Sequence, residues 1–325
     1  MAVPFAHLGG LDLALPQLLP LALIAAMYAT RARTLARAGR PAPRWRQACF
    51  YGGLVLMLVA LASPLGHLSQ ELVVAHMGEH LLLGDIATLL LVLGLTGPLI
   101  APLLRIKTID RLRFLAHPLV ALPLWAIDLY VWHTPTLYQA ALHNEFVHAL
   151  QHGCFVAFGV NMWMPLFGPL PKPAWFGTVG KLAYIIAVRL IGAILGNVLT
   201  WSGTVFYTTY RGGEAFWGIS PLRDQGAAGL LMMVEGSLLT IGLFAWLFLD
   251  AAKQADRKQE LLDWAAANGY ALTEARAARA VAAGRTDELR RRLSEDRPGD
   301  QDDGHDRPDH DHDVDQQPEG LGLRT

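Results

Sequence analysis

Charged residues and cysteines are both scarce in this chain. Only 17% of its 325 residues are charged, against about 25% in a typical soluble protein, and its mean hydropathy is +0.30. The two cysteines, Cys49 and Cys154, have no CxxC partner, which argues against a disulfide framework or a cysteine zinc site. The net charge of −1 gives no indication of a nucleic-acid surface.

The motifs of several enzyme classes are missing as well. The chain has no Walker motif, no GxSxG, no HExxH, no CxxCH and no dinucleotide fingerprint of the GxGxxG type. These absences argue against a hydrolase, a kinase or a nicotinamide enzyme, and we expect a protein that is not an enzyme. The first residues carry no charged region before the apolar run, so we expect no cleavable signal peptide.

Apolar runs long enough to cross a membrane are abundant. A spanning helix needs about 20 predominantly apolar residues, and the runs that meet this need cover residues 11–30, 47–66, 72–97, 115–135, 146–166, 182–202 and 226–249. We therefore predict an all-α, polytopic membrane bundle of about seven transmembrane helices over residues 1–250. Residues 251–296 should form a cytoplasmic helical extension with a break at Asn268–Gly269. Residues 297–325 should be a disordered acidic tail rich in His and Asp.

Lysine and arginine are concentrated in alternate loops, which predicts the orientation of the bundle. The loops after the first, third and fifth segments hold most of them, namely Arg31, Arg33, Arg37, Arg40, Arg44, Arg46, Arg105, Lys107, Arg111, Arg113, Lys172 and Lys181. Loops rich in these residues stay in the cytoplasm. The N-terminus is then predicted outside and the C-terminus in the cytoplasm.

Five histidines lie near the ends of three apolar segments that this topology brings to the outer face. His76 and His80 occur in AHMGEH, His133 in VWHTP, and His148 and His152 in VHALQH. The i, i+4 spacing of the two pairs places both imidazoles of a pair on one side of a helix. Imidazole is the commonest protein metal ligand, so the pattern indicates a metal site. Interfacial histidines that hydrogen-bond to loops are the alternative.

Methionines and acidic residues near these histidines bear on the metal. Imidazole together with thioether favours copper, especially Cu(I), and the candidate thioethers are Met77, Met232 and Met233, for which ordinary apolar packing is the alternative. Residues that could contact the ligands and orient them, without binding the metal themselves, are Met77, Glu79, Asp128 and Asp224. Glu79 could instead face the outer headgroups. The tail histidines His305, His310 and His312 could bind metal weakly, although a solvated acidic tail is the simpler interpretation.

Asp85, Arg189 and Glu235 fall well inside predicted spans. An unpaired charge inside a membrane is strongly unfavourable, so each needs a partner or a neutral state. We expect a structural pair between the arginine and a carboxylate. A path for protons or ions is the alternative.

Four stretches of the chain together resemble one protein family. They are HMGEH at the start of a span, GLTGPLIAPLLR, LYVWHTPTLYQAALHNEFVHALQH and RDQGAAGLLMMVEG. Over residues 45–250 the chain is similar to the CtaG family, multi-span membrane proteins implicated in assembling haem–copper cytochrome c oxidase in bacteria. The resemblance implies an inner-membrane protein that delivers copper to the oxidase, with oxidase subunits or a copper chaperone as partners.

The residues that match the family patterns include all five histidines. His76, His80, His133, His148 and His152 match its histidine motifs, Asp224 and Gln225 match a DQ element, and Met232 and Met233 match the methionines that follow it. Glu79 departs from the pattern, because we expect glutamine before the second histidine.

Other functions are compatible with the same histidines. A b-type cytochrome would use histidines on facing helices as axial haem ligands, although one haem takes one histidine from each helix. A copper permease would need polar residues through the full depth of the membrane. A scaffold without metal would use the histidines to contact a partner.

Overall fold

Helices form the regular structure of the described part of the chain, which is residues 15–295 of a computed structural model. The α-helices in that range are α1 (Leu15–Arg37), α2 (Arg44–Ala62), α3 (Pro64–Leu68), α4 (Val73–Leu81), α5 (Thr88–Gly94), α6 (Gly97–Ile100), α7 (Lys107–Leu112), α8 (Pro118–Trp132), α9 (Pro135–His143), α10 (Glu145–Phe167), α11 (Thr178–Trp201), α12 (Arg211–Trp217), α13 (Pro221–Ala267), α14 (Glu274–Ala282) and α15 (Thr286–Glu295). No strand occurs within residues 15–295, which confirms the all-α prediction. The predicted disordered tail, with His305, His310 and His312, lies outside the described residues.

Several of these helices are long and apolar enough to cross a membrane. Within the described residues four qualify singly: Arg44–Ala62, Val73–Gly94, Thr178–Trp201 and Pro221–Ala267. A fifth span is obtained if α7 and α8, which meet at a bend of 81°, are counted together. The chain is therefore a helical membrane protein with four or five candidate spans. The predicted segments 11–30 and 146–166 overlap α1 and α10. The count of seven stays a prediction.

The span Val73–Gly94 is the most buried of the four. It consists of α4, a π-helical turn at Leu82–Ala87 and α5. Helix α2 lies so close to it that a Cβ on Gly53 would stand 2.8 Å from the Ala87 carbonyl oxygen. The lack of a side chain at Gly53 is therefore what allows the two helices to touch along their backbones.

The C-terminal end of this span is held by side chains from α1 and α2. The Arg46 guanidinium donates to the carbonyl oxygens of Leu93 and Leu95 at 3.0 and 2.7 Å. The Tyr28 hydroxyl donates to the Gly94 carbonyl oxygen at 3.1 Å. The last carbonyls of a helix lack partners in their own helix and carry partial negative charge, so a cation stabilises them there.

Helix α10 packs against the π-helical turn through another glycine. A Cβ on Gly159 would clash with the carbonyl oxygen of Gly84 and would lie 2.9 Å from the Thr88 hydroxyl oxygen. Trp163, one turn further along α10, donates its indole N–H to the Asp85 carbonyl oxygen at 3.0 Å. These contacts fix α10 beside the span that carries His76 and His80.

The chain divides into two compact units, and the boundary falls between Leu247 and Phe248 within α13. In the second unit the end of α13 packs with α14 and α15 around a small apolar core formed by Leu261, Ala277, Val281, Leu289 and Leu293. Helix α13 ends at Ala267, directly before the predicted break, and Gly269 has a φ of 73°. A left-handed glycine just past a helix end is a common terminator.

Replacing Gly159 with alanine should destabilise the protein. The added Cβ would overlap the backbone of the π-helical turn, and overpacking of this kind costs about 1–3 kcal/mol. Gly153→Ala on the same helix is the matched control, because nothing lies within 4 Å of the Cβ it would add. The free energies of unfolding in detergent test this, and equal values for the two variants would contradict the packing described.

Candidate metal centre

The five histidines form one continuous group, the histidine cluster, which consists of His76, His80, His133, His148 and His152. Helix α4 supplies the first pair, α10 supplies the last, and His133 follows the final turn of α8. Along each helical pair the ring centroids are 4.2 Å apart. Between helices, the ring centroid of His80 lies 5.5 Å from that of His152 and 6.4 Å from that of His133. The ring centroids of His76 and His148 are 5.5 Å apart.

Two histidines are held in a defined tautomer by backbone carbonyls. The Nδ1 atom of His76 lies 3.2 Å from the Ser69 carbonyl oxygen, and Nδ1 of His133 lies 2.7 Å from the Leu129 carbonyl oxygen. A carbonyl oxygen can only accept, so each Nδ1 carries the hydrogen and each Nε2 presents a lone pair. This is the arrangement that a neutral metal-binding imidazole requires.

A thioether lies opposite one of these lone pairs. The Met77 sulfur is 3.4 Å from the Nε2 atom of His133, and Met77 is only 1% exposed. Both atoms are acceptors in this tautomer, so their approach is favourable when a cation lies between them. Met77, which the sequence suggested chiefly as a supporting residue, therefore stands in contact with a predicted ligand.

Most of the remaining ring nitrogens are buried without a partner. Both nitrogens of His80 are in this state, as are Nε2 of His76, His148 and His152. A buried polar atom without a hydrogen bond costs about 1–3 kcal/mol. The nitrogens of His76, His80, His148 and His152 belong to side chains that are close enough together to hold a metal ion.

Glu79 also points into the histidine cluster. Its carboxylate is 2% exposed, and its Oε1 atom is 3.7 Å from Nε2 of His152, while Oε2 has no hydrogen-bond partner. Of the two orientations the sequence allowed, the carboxylate adopts the inward one. Two groups of side chains have ligand atoms all within 4.8 Å of one another: His76 with His80 and His148, and Glu79 with His148 and His152.

Three tyrosines that were not among the predicted site residues cover one side of the cluster. Tyr138 stacks on Tyr207 with ring centroids 3.9 Å apart, and its hydroxyl is 3.1 Å from that of Tyr210. Tyr207 donates to the His133 carbonyl oxygen at 2.9 Å. Burial raises the pKa of all three phenols, so they remain neutral hydrogen-bond donors. Tyr138 lies 4.9 Å from His76 between ring centroids, so these rings restrict access to the cluster.

Asp224 and Gln225 act on the backbone that carries the histidines. The Asp224 carboxylate accepts from the amides of Val73 and Val74 at 2.7 and 3.0 Å, which caps the first turn of α4. Gln225 accepts from the Phe206 amide at 2.8 Å and so anchors the loop before Tyr207. Asp224 therefore positions His76 and His80 through the backbone of α4.

The other predicted site residues lie around the cluster. Met232 packs against the apolar group that contains Met77. Met232 and Met233 both line a groove of about 500 Å³ between α11 and α13 beside Arg189. Asp128 is buried next to Trp132, and one of its carboxylate oxygens has no partner. Among the histidines outside the cluster, His143 is exposed and its Nδ1 lies 2.6 Å from the carbonyl oxygen of Gln139 in its own helix.

The three charged residues predicted well inside spans meet each other. Arg189 contacts Asp85 through two nitrogens, at 3.0 and 3.4 Å, and its Nη1 atom lies 3.7 Å from Glu235. Its guanidinium also lies 5.7 Å from the centre of the Trp163 ring. The expected arginine–carboxylate pair is present and includes a second carboxylate. It joins the π-helical turn to α11 and α13.

Comparison with protein-family models identifies one family. A model of the family described as cytochrome c oxidase caa3 assembly factor (Caa3_CtaG) matches residues 26–254, a range that includes the whole histidine cluster. Uncharacterized protein Mb0105 of Mycobacterium bovis and uncharacterized protein MT0111 of Mycobacterium tuberculosis are each 25% identical over 278 residues. That stretch is 80% of this chain but 42% of each relative, so the chain spans less than half their length. No solved structure matches the chain.

Replacing Asp224 with alanine should loosen the start of α4. Loss of a side-chain cap costs about 0.5–2 kcal/mol, and the amides of Val73 and Val74 should exchange hydrogen with solvent faster. Asp224→Asn, which keeps an acceptor oxygen, should lose less. Arg223→Ala is the matched control, because Arg223 is exposed on the same turn. Unchanged amide exchange in Asp224→Ala would show that the cap does not hold the helix.

Replacing Arg189 with methionine should destabilise the protein strongly, because two carboxylates lose their cation. Removing one partner of a buried ion pair costs about 3–5 kcal/mol. Combining Arg189→Met with Asp85→Asn and Glu235→Gln removes all three charges and should recover much of the loss. The free energies of unfolding in detergent decide this, and a triple variant no more stable than Arg189→Met alone would refute the charge explanation.

Proposed function

Since the chain belongs to the family of cytochrome c oxidase caa3 assembly factors, we propose that it binds copper at the histidine cluster and delivers the ion to a haem–copper oxidase. The observation that carries the proposal is the group of buried imidazole nitrogens without hydrogen-bond partners. Neutral imidazoles whose second nitrogen donates to a backbone carbonyl are prepared to bind a metal without further rearrangement.

The ligand types support copper over other metals. Cu(I) prefers imidazole and thioether ligands, whereas magnesium, calcium and manganese prefer oxygen ligands. Five histidines and the Met77 sulfur provide the first kind of site. Among the predicted thioethers we assign Met77 as the sulfur ligand, because its sulfur contacts His133. Met232, packed against the same apolar group, would support Met77 by contact.

Delivery rather than catalysis is the role that this arrangement supports. A protein that passes copper on needs at least one ligand that an acceptor can replace. His148 is half-buried, whereas the other four histidines of the cluster are buried. An acceptor, either an oxidase subunit or a copper chaperone, could therefore compete for the ion at His148 first. No redox cycle or bond-breaking step is needed for this role, so the protein would not be an enzyme.

The membrane arrangement follows from the distribution of positive charge. We propose that seven helices cross the bacterial inner membrane, with the N-terminus outside and the C-terminus in the cytoplasm. The arginine-rich loops around Arg37 and Arg111 would then face the cytoplasm. The histidine cluster lies near the opposite ends of the helices, at the periplasmic face, where an oxidase subunit that takes up copper from outside could reach it.

Removing two ligands at once should abolish copper binding. Protein purified in detergent, stripped of metal and reloaded with Cu(I) under anaerobic conditions should bind copper, and His80→Ala combined with His152→Ala should bind none. His143→Ala, in an exposed histidine outside the cluster, is the control and should bind as the wild type does. Elemental analysis gives the stoichiometry, and thermal unfolding shows that each variant is folded.

Three outcomes would overturn the proposal. Full copper stoichiometry in the double variant would place the site elsewhere. A Soret band in washed wild-type protein would show a haem ligated by these histidines. Copper uptake into proteoliposomes, lost with the same substitutions, would show a permease.

A further inference from the structure

Glu79 is the one acidic side chain that the structure places among the cluster's imidazoles, within the described residues, and its surroundings are unusual for a structural carboxylate. It is buried, its nearest basic atom is a histidine nitrogen at 3.7 Å, the Ser69 side chain is within hydrogen-bonding reach of the carboxyl group, and Oε2 accepts no hydrogen bond. A carboxylate in a dry interior is strongly unfavourable unless a cation or hydrogen-bond donors compensate for it. A neutral imidazole at this distance and one hydroxyl compensate only in part for a full negative charge.

Five of the potential ligands form two groups that share one residue, and His133 and Met77 lie beside these groups. His76, His80 and His148 form the imidazole group, and Glu79, His148 and His152 form the carboxylate group; in each the ligand atoms lie within 4.8 Å of one another. His148 belongs to both groups and is the half-buried member of the cluster. A neutral imidazole has one nitrogen lone pair and can bind one metal ion at a time. An ion at either position therefore needs His148, and both positions cannot be filled at once.

We infer that the cluster holds copper at two overlapping positions, with Glu79 as a direct ligand of one, and that the ion moves between them by keeping His148. This inference rests on the proposed function and adds the path of the ion within the same site. The exchange breaks two metal–ligand bonds and forms two others, and no electron or proton is transferred.

Charge distinguishes the two positions. Three neutral imidazoles leave a bound Cu(I) with its full positive charge, whereas the carboxylate group cancels it. A neutral complex costs less in a low-dielectric interior than a charged one. Carboxylate oxygen is a poorer ligand for Cu(I) than imidazole, but in a dry interior the cancelled charge outweighs this difference. The carboxylate position should therefore bind Cu(I) more tightly, and the imidazole position should hold the ion during transfer.

The first test is Glu79→Gln, which keeps the size of the side chain and removes its charge. The variant should still bind copper at the imidazole position, but its affinity in competition with a chromophoric Cu(I) chelator should fall about 10- to 100-fold, the range seen when groups around a metal are removed. Copper should also shift a carboxylate band in the infrared difference spectrum of the wild type, and this shift should be missing in the variant. Glu260→Gln, in an exposed glutamate of the second unit, is the matched control.

The second test is His148→Ala. Because this residue serves both positions, its loss should lower affinity more than His80→Ala or Glu79→Gln alone. If Glu79→Gln does not fold, Glu79→Asp replaces it; this variant keeps the charge, so the copper-induced carboxylate band should persist.

The outcomes separate this inference from the proposed function. A wild type that binds no copper defeats the proposed function. A wild type that binds copper, together with a Glu79→Gln variant of unchanged affinity and an unchanged infrared spectrum, defeats only the two-position inference. An effect of His148→Ala no larger than that of His80→Ala also defeats it.

Discussion

Side chains hold both ends of the span Val73–Gly94, and the rest of the centre depends on this constraint. Asp224 holds the first amides of this span and Arg46 holds its last carbonyls, so each helix end meets a side chain of opposite sign to its partial charge. His76, Met77, Glu79 and His80 all lie in the first turns beyond the Asp224 cap. Their positions relative to α8 and α10 follow from where that cap places the backbone.

The backbone also determines which nitrogen of a histidine is available. Carbonyl oxygens of Ser69 and Leu129 orient two imidazoles, and both carbonyls belong to residues close to their histidine in sequence. The fold therefore orients these lone pairs without a bound ion. Helices α2 and α10 pack against the same span through Gly53 and Gly159.

Local patterns predicted a large part of this arrangement. Helical spacing identified the pairs His76–His80 and His148–His152, because i, i+4 residues share a face wherever a helix forms. The contact between Met77 and His133 could not be predicted, since it depends on how α4 and α8 pack. The role of Asp224 was equally hidden, because its partners Val73 and Val74 lie about 150 residues earlier in the chain. The inward orientation of Glu79 follows from burial on every side of α4, a fact of tertiary structure.

The types of ligand atom in the cluster determine how it responds to oxidation. Neither Cys49 nor Cys154 belongs to the ligand groups found among the described residues, so disulfide formation cannot disable the centre. The oxidisable atom is the Met77 sulfur, which becomes a sulfoxide when peroxide reaches it. At 1% exposure, that sulfur is shielded by the protein around it. A centre of imidazoles and one thioether therefore contains no thiolate that an oxidising environment would convert to a disulfide.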